Sequence, residues 1–330
     1  MQAAILSSYG GPDVFDITEI PDPTPKPGWT TVRLKSAGLN WHDTLVRDGV
    51  YSSPLPIVPG ADGAGTVASG ARTGEEVIIL PSMFWGGSQA APAPAFEILG
   101  DHRNGTYAQF VQVPDDCIFP KPSDMTWAQA GAFSLVGVTV FRALFTRGRL
   151  RKGESLLVLG ASGGVASFAI QLASAAGVTV TATSADEKKR EGARSIGAAT
   201  TLDHSATDWT SQAKAAANKG EGFDLVLDAV GRVAESLECL RPGGRCVVLG
   251  ANASNSLEVP LRPFFFAQHE IIGTTMGSPK DMNGLLRLID QVGTVAPIID
   301  SSYGLEQVVE AHERLESGVG FGKITLDIES

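Results

Sequence analysis

Residues 155–166, SLLVLGASGGVA, decide how the rest of the chain reads. The run SLLVLG (155–160) is continuously apolar, as a strand buried on both faces must be. The glycine-bearing turn ASGGVA (161–166) follows it. VASFAIQLASAAG then has helical character and reaches Gly177, a C-cap candidate. Downstream the order repeats. VTVTATS (178–184) reads as a strand and DEKKREGARSIG (186–197) as a helix, while FDLVLDAVG (223–231), RCVVLGA (245–251) and EIIGTTMG (270–277) supply further strands. Strands alternating with helices of ~10–15 residues predict βαβ units and a parallel sheet.

The first 125 residues have another texture. VRLKSAGL (32–39), GAGTVAS (63–69), EEVIIL (75–80) and TYAQFVQVP (106–114) read as short strands broken by turns. PDPTPKPG (21–28) holds four prolines and predicts an extended surface connection. Residues 81–105, PSMFWGGSQAAPAPAFEILGDHRNG, read as one long loop without periodicity, and loops of that length are usually functional or mobile. The end of the chain, EQVVEAHERLESG and then GKITLDI, predicts an amphipathic helix and a last strand. With 330 residues, two domains are expected.

Composition narrows the function. Hydrophobic residues are 43% and charged residues 19%, enough for a sizeable core. The formal net charge of −10 opposes non-specific binding to nucleic acid or anionic membranes. No run of apolar residues is long enough to cross a membrane, and MQAAILSSYGGPDVF lacks the features of a secretory signal. Three cysteines, Cys117, Cys239 and Cys246, form no C-x-x-C pair. A soluble, cytoplasmic protein without nucleic-acid or membrane partners is therefore expected.

A helix N-terminus presents unpaired N–H groups and a positive dipole end, which suits a pyrophosphate. Set on the dinucleotide fingerprint G-x-G-x-x-G, the turn has Ala161 first, Gly163 in the middle and Ala166 third, so Ala161, Ser162, Gly163, Gly164 and Val165 are cofactor-binding candidates. A plain glycine-rich turn is the alternative. At the end of the next strand a site for NAD wants a carboxylate for the ribose 2′-hydroxyl. This chain has Ser184 there, 21 residues after Gly163, with Lys188, Lys189 and Arg190 behind it. A hydroxyl plus cations suits a 2′-phosphate and favours NADP(H), although the cations could equally be a solvated helix face.

The series SAGLNWHD (36–43), VPGADGAGTV (58–67), GTYAQFVQVP (105–114), LVLGASGGVASFAIQLASAAG (157–177), FDLVLDAVG (223–231), LRPGGRCVVLGA (240–251), IIGTTMGS (271–278) and FGKITL (321–326) resembles the medium-chain dehydrogenase/reductase superfamily, in its zinc-independent quinone-oxidoreductase-like branch. The resemblance implies an α/β protein: a GroES-like β-rich catalytic domain (1–125 and 273–330) and a Rossmann domain with a doubly wound parallel sheet (126–272). It also implies cofactor contacts from Thr139 beside the nicotinamide, Asp203 or His204 near the adenosine, Ala229 and Val230 at the ribose, and Leu249, Gly250 and Ala251 at the carboxamide. Thr275, Met276, Phe321 and Lys323 would close the nicotinamide end. Pairing of the EIIGTTM strand across a two-fold axis implies a homodimer, alone or as half of a tetramer.

Zinc-dependent members place ligands at the positions of Asn40, Gly60-Ala61-Asp62 and about Leu135, and a four-cysteine lobe in the region of 81–105. These residues supply too few ligands for a catalytic zinc, and the lobe has no cysteine, so no metal is expected. Protein donors must then stabilise the developing charge on a substrate oxygen. Asn40, His42 and Tyr51 are the catalytic candidates, each with a structural alternative: a backbone holder, a packing residue and a loop anchor. Asp43 is expected to be a buried buttress. Trp41, Phe84, Trp85 and Phe264–Phe266 could wall a substrate site or belong to the core. NADPH-dependent reduction of a quinone, enone or activated carbonyl leads, with an alcohol dehydrogenase or aldehyde reductase and a non-catalytic NADPH-binding protein as alternatives.

Overall fold

The computed structural model describes residues 1–293 and 295–329. The chain forms two compact units: Met1–Val138 with Gly277–Leu286 and Ala296–Ser330, and Thr139–Met276 with Arg287–Val295.

The second unit is built on six parallel strands. In spatial order they are Thr200–Leu202, Thr179–Thr183, Ser155–Val158, Phe223–Asp228, Leu240–Val248 and Glu270–Gly273. This is the doubly wound order that reverses beside the first strand, where such folds bind their ligands. The apolar run around residue 155 folds as a central strand because neither face meets water; Leu156, Leu157 and Val158 are all buried. Helix Gly164–Ala175 packs on strands Ser155–Val158 and Thr179–Thr183 and buries Phe168, Ile170 and Leu172. Trp209, Leu157, Val226 and Leu237 join in one apolar cluster. Each such side chain contributes roughly 1.5–3 kcal/mol by leaving water.

The first unit is built on a largely antiparallel sheet ordered Ile299–Gly304, Lys323–Asp327, Trp29–Gly38, Asp62–Val67, Glu76–Ile79 and Ile118–Pro120, with Phe110–Pro114 also pairing Trp29–Gly38. Its register matters for function. Gly38 pairs with Thr325 on one side and with Asp62 on the other. The Leu39 N–H continues the first ladder to the Ile324 carbonyl at 2.9 Å, so position 40 falls opposite position 323. This unit runs past the change of texture at 125 because helix Trp127–Gly131 lies directly on the sheet: a Cβ on Gly131 would stand 2.5 Å from Ser36 Oγ.

Residues 81–105 correct the reading of a structureless loop. Ser82–Met83 pairs antiparallel with Glu97–Ile98, and Trp85 is buried, edge-on to Phe96. Trp85 is thus core of this lobe and not a substrate wall. Pro21–Gly28 is largely exposed, without strand or helix, as its prolines require.

Helix Val308–Glu316 buries His312 against the rings of Phe15 and Tyr107. Arg47 Nη1 lies 3.2 Å from His312 Nδ1. A guanidinium only donates, so Nδ1 accepts and the ring proton sits on Nε2, which has no partner among the described residues. Burial, and then the Arg47 charge, push the His312 pKa down to about 3. The folded state therefore binds fewer protons than the unfolded chain, whose histidines titrate near ~6.5. Stability from this site is complete above that pH and is lost as pH falls towards the folded value. Urea unfolding should show the wild type losing more free energy than His312→Phe between pH 7 and pH 4.5, by at most ~1.4 kcal/mol per pH unit. Equal losses would contradict the assignment.

Candidate functional site

Parallel strands end on one edge of their sheet, and that edge gathers most of the cofactor-binding candidates of the second unit. Ala161, Ser162, Gly163, Gly164 and Val165 follow strand Ser155–Val158; Ser184 follows Thr179–Thr183; His204 follows Thr200–Leu202. Val230, then Leu249, Gly250 and Ala251, then Thr275 and Met276 follow the other three strands. Thr139 lies in helix Ser134–Phe141, and its hydroxyl is 4.0 Å from Met276 Sδ, which brings those two candidates together.

The turn itself differs from the fingerprint as read. Gly160, one residue before Ala161, holds the left-handed conformation (φ +94°) that makes the tight turn. Gly163 has an ordinary φ of −66° and caps helix Gly164–Ala175. A Cβ built on Gly163 meets no atom within 4 Å. Neither backbone conformation nor packing in this chain requires glycine there, and the backbone at the helix start is left open. A dinucleotide fits that description, its pyrophosphate at the helix N-terminus. Gly250 is different: its Cβ would stand 2.0 Å from the Ala229 carbonyl oxygen, so the chain's own packing explains it.

Around the turn the polar groups are partly committed. Thr183 Oγ1 accepts the Gly160 N–H at 3.1 Å and lies 3.0 Å from His204 Nδ1, so His204 is tied to the turn through a threonine that the sequence did not single out. Ser184 is buried, its Oγ accepting from the Asp186 N–H at 3.2 Å. Asp186 caps helix Glu187–Ser195. Arg190 donates to the Ser184 carbonyl and pairs with Glu187 and with Asp203 at 3.4 Å. Lys189 is half-buried on the same helix. The Val230 N–H is spent on the Asp228 carboxylate at 2.9 Å, leaving the Val230 side chain rather than its N–H to meet a ligand.

In the first unit the catalytic candidates cluster at the start of helix Trp41–Arg47, where Asn40 is the N-cap. The His42 and Tyr51 rings lie 4.9 Å apart. His42 Nε2 is buried and has no hydrogen-bond partner among the described residues, and burial lowers the His42 pKa against the opposing charges of Asp43 and Asp101. Tyr51 is half-exposed, its pKa raised by burial and by Asp101. Sequence reading missed Asp101, which has no motif to announce it; Ser53 Oγ donates to its carboxylate, so the 81–105 lobe is fastened to the Tyr51 segment. Asp43 is buried and accepts from the Asn40 N–H (2.8 Å), the Ala61 N–H (3.2 Å) and Tyr107 OH (3.0 Å).

Asn40 takes its structural alternative as a backbone holder, and Lys323 takes a role the sequence did not suggest. Asn40 Nδ2 donates to the Gly38 carbonyl at 3.1 Å, and its Oδ1 accepts from Lys323 Nζ. Lys323, expected at the nicotinamide end, is buried and also donates to the Leu39 carbonyl. Its Nζ stands 4.0 Å from Asp62 Oδ2, while Asp62 Oδ1 accepts the Leu135 N–H at 3.0 Å. Burial pushes the Asp62 carboxyl up to about 7, against the pull of the Lys323 charge, the Leu135 N–H and the Asn40 amide. Burial likewise lowers the Lys323 pKa, against the charges of Asp62 and Asp43. Phe321 places its N–H 3.0 Å from Asp300 Oδ1. The residues at the three zinc-ligand positions are thus joined to one another by a lysine and a carboxylate. An amide already holding an ammonium, an alanine flanked by one carboxylate, and a leucine do not fit a catalytic zinc.

A family model described as alcohol dehydrogenase GroES-like domain matches residues 26–123, and one described as zinc-binding dehydrogenase matches residues 164–291. The chain is 31% identical to a quinone oxidoreductase of Mus musculus, covering 99% of this chain and 97% of that protein. Among solved structures it is similar to an NAD-dependent alcohol dehydrogenase (33% identity, TM-score 0.92, 99% of this chain and 100% of the other). It is also similar to a cobalt- and zinc-bound thermostable alcohol dehydrogenase from Pyrobaculum aerophilum (28% identity, TM-score 0.86, 99% of each chain).

Gly163→Val tests the turn. Fluorescence titration should show nicotinamide cofactor binding abolished, while thermal unfolding shows a cost of about 1 kcal/mol or less. Retained affinity would place the cofactor elsewhere.

Proposed function

Since the chain belongs to the medium-chain dehydrogenase/reductase superfamily, whose members bind a nicotinamide cofactor, we propose that it is an NADPH-dependent oxidoreductase that reduces a quinone, enone or activated carbonyl compound without catalytic zinc. The observation that carries the reading is the turn at Gly163, open to a ligand at the N-terminus of a helix. When bound, the reduced nicotinamide supplies hydride. The chain's part is to bind and orient the cofactor, and to offer a proton donor to the substrate oxygen. His42 and Tyr51 are the donors we assign to that task; Asn40, whose amide is held by Gly38 and Lys323, supports them. Ser184 and Lys189 favour the phosphorylated cofactor, because a carboxylate at position 184 would repel a 2′-phosphate.

The same residues could reduce an aldehyde or oxidise an alcohol, and the likeness to the NAD-dependent alcohol dehydrogenase structure favours keeping that second reading. We propose a homodimer formed through strand Glu270–Gly273, an edge of its sheet, beside which helix Leu261–Phe266 exposes Leu261, Phe265 and Phe266. Among the described residues no helix is long and apolar enough to cross a membrane. Three free, buried cysteines suit a reducing compartment, and we place the protein in the cytoplasm.

NADPH and NADH titrations followed by turnover on quinones, enones and aldehydes test the reading. Quinone or enone reduction with NADPH supports it; activity confined to alcohols and aldehydes supports the second reading; binding with no turnover on any of them contradicts both. Ser184→Asp should weaken NADPH binding by about tenfold or more relative to NADH, a change of ~1.4 kcal/mol. Unchanged preference would remove Ser184 from the cofactor site.

A further inference from the structure

We propose that Lys323 is a positioning residue: its buried ammonium, set between the Asn40 amide, the Leu39 carbonyl and the Asp62 carboxyl group, is the fixed cation that holds the first turn of helix Trp41–Arg47, and with it His42, against strand Asp62–Val67. Nothing in the family comparisons assigns it this work.

The case begins with backbone register. The ladder that pairs Gly38 with Thr325 and Asp62 puts Lys323 and Asn40 opposite each other, with Asp62 on the next strand. Side chains at these positions meet in the interior: Asn40, Asp43, Asp62 and Lys323 are each 5% exposed or less. Two carboxyl groups so placed are ionised only where a cation or hydrogen-bond donors offset the cost of burying charge. The Lys323 charge favours the ionised form of both Asp43 and Asp62.

What the ammonium holds can be followed outward. It accepts nothing and donates only, so it fixes the Asn40 amide with Oδ1 inward and Nδ2 towards the Gly38 carbonyl. The Asn40 N–H in turn anchors Asp43, and Asp43 anchors Ala61 and Tyr107. His42 lies between Asn40 and Asp43 in sequence, inside this brace. A divalent metal at these positions would do the same mechanical work through coordination; here a lysine does it through hydrogen bonds.

The role rests on the reductase reading only for its kinetic arm. The experiment compares wild type, Lys323→Met, and the double variant Lys323→Met/Asp62→Asn, which removes both members of the buried pair. The first readout needs no activity: the imidazole signals of ¹³C-labelled His42, assigned with a His42→Asn variant. The expected result is a displaced His42 resonance in both lysine variants, and a double variant that regains most of the thermal stability lost by Lys323→Met. The second readout is kinetic. In the double variant kcat should fall about 10- to 100-fold while NADPH affinity stays at the wild-type value. A His42 signal unmoved in the folded double variant, or full recovery of kcat in it, would overturn the proposal, because Lys323 would then only neutralise Asp62. Failure of the double variant to fold would assign Lys323 to stability alone and overturn it too. If the wild type turns over no substrate, the reductase reading fails and the His42 signal still decides this one.

Discussion

A lysine ammonium taken out of water must find oxygen atoms, and in this chain it finds them between two strands and a helix start. Lys323 donates to the Leu39 carbonyl and to Asn40 Oδ1, with the Asp62 carboxyl group 4.0 Å away. That constraint accounts for why Asn40, Ala61, Asp62 and the Leu135 N–H converge although they offer only one carboxylate between them. It also turns two acidic residues, Asp43 and Asp62, from a core liability into a brace. The brace is low in the hierarchy of local choices: it follows from which residues the antiparallel register sets opposite one another.

The second unit works by a different rule. Parallel strands all end on one side, so residues far apart in sequence come to share an edge. Gly163 is informative there because the protein does not need it. A glycine whose Cβ would meet open space, at an ordinary φ, leaves the start of the helix open to a ligand. Gly160 and Gly250 lack that property, since the turn and the Ala229 carbonyl explain them.

Fold class was legible in the sequence because hydrophobic period and turn chemistry are local. The apolar run at 155–160 and the strands after it appear within a few residues of where the pattern put them. Residues 81–105 were not legible in that way: a two-residue strand pair and one buried tryptophan leave no period to detect. At the candidate site the sequence named residues but not their commitments. Asn40, Ser184 and Lys323 could be picked out by motif, but whether an amide or an ammonium is free or already bonded depends on partners 283 residues away, as between Asn40 and Lys323. Asp101 and Thr183 carry no motif at all and become visible only through the side chains they touch.

The central claim is that the positive charge in the first unit's buried cluster belongs to the protein itself. Diffraction from crystals grown with added zinc, recorded on both sides of the zinc absorption edge, reads that charge directly. Continuous density for Lys323 out to Nζ beside Asn40 and Asp62 is expected, with no anomalous peak at that place. A zinc peak there, with the lysine side chain turned away, would contradict it.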